Sequence, residues 1–405
     1  MEKIKRDKYL SILKDFKDKQ IIKVITGIRR CGKSTLLELF QDYLKENGIE
    51  ENQIVSINFE NADFEELQDR KKLHEYLKGK LVKDKKTYIF LDEIQNVPEF
   101  EKTVDSLFIN KNVDIYITGS NAYLLSSELA TLLTGRYIEI KMLTLSFKEY
   151  LSAFEDKTDI SRKFRDYLRY SSFPQAIELY KINPNNIDMF LEGIYSTILF
   201  KDVMKRKGIT DKNVLERVTK YLYDNIGNRT SMKSISDNIE GLDKNNSYNT
   251  VSNYVEALKD SYMLYKASRY DIKGKEFLKT QEKYYVVDIG LRYYMLGQNS
   301  GRDMGHILEN IVYLELLRRG YKVYIGKVDE FEIDFVAKNS EDTIYYQVAL
   351  TTREEDTLQR ELTPLKKIND NYPKYILTMD DDLDADFDGI KKINVIDWLL
   401  EDNKT

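Results

Sequence analysis

The chain has 405 residues, a formal charge of −5, one cysteine and two histidines, and that length exceeds a single hydrophobic core, predicting about two to four domains. The mild acidity excludes a surface built wholly to hold nucleic acid, though not a local basic face. The lone cysteine excludes a disulfide framework and a cysteine-based zinc site, and His74 and His306 are too distant in sequence for a histidine-rich metal site; with no continuous apolar run of about 18 residues, a soluble, cytoplasmic protein without a membrane partner is expected.

Residues 1–20 place Tyr9, Leu10, Ile12, Leu13 and Phe16 at helical spacing among lysines. This predicts an amphipathic helix packed on the domain that follows, with a nucleic-acid arm as the alternative. A β-branched apolar run then ends at Thr26. Gly27-Ile28-Arg29-Arg30-Cys31-Gly32-Lys33-Ser34 follows and fits the pattern G-x-x-x-x-G-K-[ST], with Thr35 opening an apolar helix. Strand, glycine loop and helix in that order predict a phosphate cradle of backbone N–H groups at a helix N-terminus. Lys33 is expected to reach the β- and γ-phosphates, and the Ser34 hydroxyl to face Mg²⁺.

Residues 53–59 read as a second strand. Residues 86–92 form an apolar strand that ends in Asp92-Glu93. Asp92 is expected to hold the Mg²⁺ shell and Glu93 to orient and polarise the attacking water. The next strand, 112–119, ends in Ser120 and Asn121, which read either as γ-phosphate sensors or as a helix cap. Arg136 stands before a further strand at 137–142, where it reads as a candidate arginine finger, on this chain or a neighbouring copy, or as a surface arginine. Strands alternating with helices predict a doubly wound parallel sheet with its ligand at the carboxyl ends. No Asn-Lys-x-Asp element is present, which favours ATP over GTP.

The glycine loop, the FLDEIQ segment at 90–95, ITGSNA at 117–122, LTGR at 133–136 and LSFKEY at 145–150 together resemble one family. It is the large bacterial and archaeal family of AAA-type ATPases that carry a C-terminal domain of unknown function related to restriction endonucleases. The resemblance spans essentially the whole chain. It implies Lys33 and Ser34 as phosphate and Mg²⁺ residues, Asp92 and Glu93 as metal and water residues, Asn121 as sensor and Arg136 as arginine finger.

Residues 151–207 read as a helical lid, interrupted at Ser171-Ser172-Phe173-Pro174, where the family usually shows glycines. Residues 208–283 read as a winged helix whose second helix exposes Ser247, Asn249, Ser252 and Asn253. Lys266, Arg269, Lys273, Lys275, Lys279 and Lys283 give this segment a basic lean that suits phosphate contact. From 284 to 405 a helix acid, Glu309, then Asp334 and Gln347 on strands follow the two-carboxylate-plus-lysine order of restriction-type nucleases. The lysine place is Ala349, so a degenerate site kept as a binding or assembly surface is expected. The run Asp384-Ala385-Asp386-Phe387-Asp388-Gly389 imitates half of a calcium loop. Val395 stands where the bidentate acid belongs, and the run reads as a solvated turn.

The expected fold is therefore α/β: a P-loop parallel-sheet ATPase core (1–150), a helical lid, a winged-helix domain and a C-terminal restriction-endonuclease-like α/β domain. The expected function is Mg²⁺-dependent ATP hydrolysis, with DNA and further copies of the chain as candidate partners. An ATP-regulated nuclease using Glu309 and Asp334, and a non-catalytic nucleotide switch, are the alternatives.

Overall fold

The computed structural model describes residues 3–122, 133, 135–239, 247–297 and 303–401. The chain forms two compact units. The first comprises Met1–Thr144 with Asp260–Tyr262, and the second Leu145–Lys259 with Met263–Thr405.

In the first unit five strands form one parallel sheet: β1 (Ile22–Thr26), β2 (Ile54–Asn58), β3 (Thr87–Asp92), β4 (Val113–Gly119) and β5 (Tyr137–Lys141), in the order β2-β3-β4-β1-β5. Parallel pairing with both faces covered demands apolar strands, and β1, β3 and β4 are buried along their whole length. Strand β4 lies between β1 and β3. It thereby sets the glycine loop after β1 and the acids after β3 on either side of its own carboxyl end, which carries Ser120 and Asn121. The helix Lys33–Glu46 buries Leu36, Leu37, Phe40 and Leu44, and Phe40 packs on Tyr116 of β4.

One lysine interrupts the apolar β1. Lys23 is fully buried and ion-paired with Asp114, which also accepts from the Tyr116 hydroxyl at 2.9 Å. Burial still pulls the Lys23 ammonium below its ordinary pKa, despite the Asp114 charge. The N-terminal helix is present at Asp7–Asp15 with Tyr9 and Leu13 buried, so it packs as expected.

The second unit is built on an eight-stranded mixed sheet. Its strands are β6 (Leu264–Asp271), β7 (Glu276–Val286), β8 (Lys322–Val328), β9 (Phe331–Lys338), β10 (Thr343–Val348), β11 (Lys374–Thr378), β12 (Ala385–Phe387) and β13 (Ile390–Asn394), in the order β12-β13-β11-β10-β9-β8-β6-β7. The β6–β7 hairpin has the place of a wing after the helices Met232–Asn238 and Ser247–Asp260, but β6 also pairs in parallel with β8. The expected boundary between 283 and 284 therefore falls inside a strand of this sheet. The helix Met304–Arg318 is buried over most of its length. The acidic run at 384–389 holds β12 and the tight turn at 388–389 that leads into β13, closed by the Gly389 N–H on Asp386 Oδ1 at 2.7 Å.

The two serines at 171–172 have a structural use. Ser171 adopts a positive φ of 81°, the region that ordinarily favours glycine. Ser172 donates from its N–H and its hydroxyl to the buried Asp288 at 2.7 and 2.5 Å. A Cβ on Gly290 would lie 2.3 Å from the Ser171 nitrogen, so this turn seats directly on the start of the helix Ile289–Leu296.

The carboxyl ends of β10 and β11 are tied by Asp380, which accepts from the Thr351 hydroxyl at 2.6 Å and the Thr352 N–H at 2.9 Å and faces Lys392 at 3.3 Å. Burial opposes its ionisation, but these donors outweigh burial and move it from the ordinary 3.8 to about 2. A carboxyl depressed in the folded state adds stability above its unfolded pKa. That stability, about 2 kcal/mol, is lost as pH falls through the folded value. Chemical denaturation of wild type and Asp380→Asn should differ by about this amount at pH 7, and the gap should close between about pH 4 and pH 2.

Candidate functional site

The glycine loop closes because two of its residues take conformations that side chains resist. Gly27 has φ 151°, and a Cβ there would lie 2.1 Å from the Met142 carbonyl oxygen. Gly32 has φ 103° and caps the helix Lys33–Glu46. Ile28 and Cys31 are buried beneath the loop, Arg29 is half-buried and pairs with Glu60 at 2.6 Å, and Arg30 is exposed with φ 69°. Burial pushes the Cys31 thiol up, which leaves it a packing residue without thiolate character. Ser34 is exposed and Thr35 half-buried in the first helical turn.

A residue outside the motif also holds the loop. Arg6 is buried and donates to the Cys31 carbonyl at 3.0 Å and the Leu143 carbonyl at 2.7 Å. The N-terminal segment thus pins the loop to the chain leaving β5. The basic composition of residues 1–20 concealed this role, because one arginine among many cations carries no spacing signal.

Lys33 is buried. Its ammonium donates to the Gly27 and Ile28 carbonyls at 3.1 and 3.3 Å and faces Glu93 Oε1 at 3.5 Å. Glu93 is buried too, with φ 54° and ψ 45°. Burial alone would lift its carboxyl, but Lys33, the Gln95 amide and Arg29 outweigh burial and hold it below the usual glutamate value. The Glu93 N–H donates to the Thr118 hydroxyl at 2.9 Å, and that hydroxyl donates to Asp92 Oδ1 at 2.5 Å. Asn58 donates to the other Asp92 oxygen at 2.9 Å. Burial lifts the Asp92 carboxyl, against hydrogen bonds from Ser34 and Thr118. Ser34 and Asp92 therefore meet. Two hard oxygen donors at the mouth of a phosphate loop fit Mg²⁺.

Ser120 and Asn121 are both buried just beyond β4, so the sensor candidate stands at the same sheet end as Lys33 and Glu93. Arg136 does not join them within this chain. It precedes β5 at the amino end of the sheet, ion-paired with Asp105, and its carbonyl accepts from Ile22 N–H at 2.8 Å. Strand direction sets this distance: the amino end of a parallel strand lies opposite the ligand end.

The second unit brings Glu309, Asp334 and Gln347 together, with a residue that their motif does not contain. Lys283 of β7 is buried with its ammonium 2.8 Å from Glu309, 2.9 Å from Glu332 and 4.0 Å from Asp334. The expectation that this cluster lacks its cation, drawn from Ala349, is thereby corrected. The lysine arrives from a strand on the far side of β8 and β6 in the sheet order, where no local spacing reveals it. Gln347 accepts from the Asp334 N–H at 2.8 Å and donates to Glu361 at 2.9 Å, and Asp334 accepts from the Val348 N–H at 2.8 Å. Burial and then the Glu309 charge hold Asp334 well above the usual aspartate range. Glu309 lies below the usual glutamate value, because Lys283, His306 and Tyr285 outweigh burial. Among the described residues no three His, Cys, Asp or Glu side chains are arranged to hold a metal ion.

The basic lean of 266–283 is largely used internally. Lys283 and Arg269 are buried, and Lys266 and Lys273 pair with Glu282 and Asp329 at 2.7 Å each. On the helix Ser247–Asp260, Asn249 and Asn253 are exposed, Ser247 and Ser252 half-buried, and Val251, Tyr254, Val255 and Leu258 buried.

Residues 19–151 match the family model of an AAA domain, and residues 161–302 match that of a domain of unknown function, DUF8612. An uncharacterized protein of Haemophilus influenzae is 40% identical over 402 residues, covering 98% of this chain and 99% of its own length. The chain belongs to the family of that protein. The expected AAA domain is present, and its match spans the glycine loop, Asp92-Glu93, Asn121 and Arg136. An uncharacterized protein of Methanocaldococcus jannaschii is 28% identical over 398 residues, 93% of this chain and 85% of its own. A Walker-type ATPase of Pyrococcus abyssi superposes over 72% of this chain and 96% of its own at 14% identity, with a TM-score of 0.48. The second family match ends before the helix that carries Glu309. No described helix is long and apolar enough to cross a membrane.

Lys283→Met removes the ammonium from between buried carboxylates and should cost about 3–5 kcal/mol, the range for breaking a buried ion pair from one side. Pairing it with Glu309→Gln should recover part of that loss. Urea denaturation of the two single variants and the double variant checks both the size and the recovery.

Proposed function

We propose that this protein binds ATP with Mg²⁺ and hydrolyses it. One observation carries the reading: Lys33 and Glu93, each nearly excluded from water, meet at the mouth of a strained glycine loop. A buried ammonium aimed at loop carbonyls and a carboxylate has phosphate oxygens as its natural replacement partners. The loop N–H groups and the helix N-terminus bind the phosphate chain. Lys33 moves to the β- and γ-phosphates. Glu93, kept ionised, takes the proton of the attacking water. Ser34 and Asp92 would hold Mg²⁺, which when bound neutralises phosphate charge. Asn121 contacts the γ-phosphate or the water from the end of β4. Arg136 acts from a neighbouring copy, since its own sheet end faces away from its own site; this supports a homo-oligomer.

The segments around the core act as a client-binding surface. The helix Ser247–Asp260, with Asn249 and Asn253 exposed ahead of the β6–β7 hairpin, supports a winged-helix reading with DNA as client. A second reading, an ATP-regulated nuclease, is favoured by Lys283, which supplies the cation that Ala349 does not. Cleavage of DNA with Mg²⁺ or Mn²⁺ that is lost in Asp334→Asn would establish it, and no cleavage leaves the cluster a fastener.

The deciding experiment is steady-state ATP hydrolysis by wild type, Lys33→Ala and Glu93→Gln, with and without duplex and single-stranded DNA. Lys33→Ala should weaken ATP binding at least about tenfold. Glu93→Gln should keep binding and lose turnover by about 10²–10⁴, the usual worth of a general base. Stimulation by DNA would support the winged-helix client. Tight binding with negligible turnover that Glu93→Gln leaves unchanged would replace the hydrolase with a nucleotide switch.

A further inference from the structure

Gln95 stands two residues after Glu93, inside the short turn Ile94–Asn96. Its Nε2 donates to Glu93 Oε2. The other carboxylate oxygen, Oε1, faces the Lys33 ammonium at 3.5 Å. Each oxygen of Glu93 thus has its own holder, one on the same turn and one on the glycine loop. The backbone adds to the constraint, because Glu93 sits in the left-handed region with its N–H fixed on the Thr118 hydroxyl at 2.9 Å. Gln95 Oε1 is buried and accepts no hydrogen bond among the described residues. A buried acceptor left open calls for a partner from outside the chain, such as an ordered water.

Resting on the ATPase reading above, we propose that Gln95 is a positioning residue for hydrolysis, tethering one oxygen of Glu93 so that the other receives the water proton. The two holders differ in what nucleotide does to them. Phosphate draws Lys33 away and releases Oε1, whereas Gln95 moves with Glu93 and keeps Oε2. The carboxylate is then freed at one oxygen without being freed to rotate. The water oxygen forms its bond to the γ-phosphorus as the bond from that phosphorus to the bridging oxygen breaks. ADP departs with the electron pair, and the water proton passes to Glu93 Oε1 and from there to phosphate or solvent. The open Gln95 acceptor offers the water a second hydrogen-bond partner.

The test compares wild type, Glu93→Gln, Gln95→Leu and Gln95→Glu by affinity for a non-hydrolysable ATP analogue and by kcat. Gln95→Leu keeps the side chain's bulk and removes its amide. It should bind the analogue within about twofold of wild type and lose about tenfold or more in kcat. Gln95→Glu places a second carboxylate against Glu93 and should fall at least as far. Unchanged kcat in Gln95→Leu, with turnover still abolished by Glu93→Gln, overturns the proposal alone. A loss of kcat matched by an equal loss of analogue binding also overturns it, making Gln95 merely structural. Wild-type turnover that is absent, or indifferent to Glu93→Gln, overturns the ATPase reading and this proposal with it.

Discussion

The Lys33 ammonium has left water and is shared between two carbonyls of its own loop and the Glu93 carboxylate. Burying a charge is costly unless polar atoms surround it. The rest of the first unit supplies those oxygens in register. Gly27 bends so that its carbonyl reaches inward, Met142 closes over the place where a side chain would be, and Arg6 anchors the loop from outside. Strand β4 then holds Thr118 where it touches Asp92 and Glu93 at once. Removing any of these loosens the cage around the lysine.

Among the described residues three lysines are buried, with three different balances. Lys23 has one aspartate inside an apolar sheet, and burial dominates its titration. Lys33 has carbonyls and a single glutamate, a looser setting that a more anionic ligand can outbid. Lys283 has three carboxylates, and although burial opposes it, their charges raise its pKa above the ordinary value. The first and third hold strands together. The second, on the proposed reading, is the one whose partners a nucleotide replaces, and it is the one at the ligand end of its sheet.

Much of the first unit was legible because its chemistry is written in contiguous residues. The spacing around Gly27, Gly32 and Lys33 and the acids after β3 each predict their own local geometry, and parallel-sheet rules bring them to one end. Arg6, Gln95 and Lys283 were not legible. Arg6 and Lys283 act across long sequence separations, and their types are common in a lysine-rich chain. Gln95 is adjacent to the motif, but its role depends on the left-handed turn at Glu93, which composition does not announce. Ser171 and Ser172 looked like a departure from a glycine loop. One accepts the glycine-like conformation and the other uses its hydroxyl on Asp288, a substitution of side-chain bonding for backbone freedom. The basic lean of 266–283 misled in the opposite direction, since charge counted along a strand says nothing of the acids it faces across the sheet.

The pairing of the β6–β7 hairpin with β8 also bears on how the chain could be divided. A fragment beginning at Tyr284 would start within β7, discard β6 and Lys283, and uncover the edge of β8. Its unpaired N–H and C=O groups would offer a template for another chain. Beneath that edge Glu309, Glu332 and Asp334 would repel one another with no ammonium between them. The hairpin is thus a cover and a counter-ion for the sheet it joins, and insertions that respect the sheet belong in turns such as 272–275 rather than between 283 and 284.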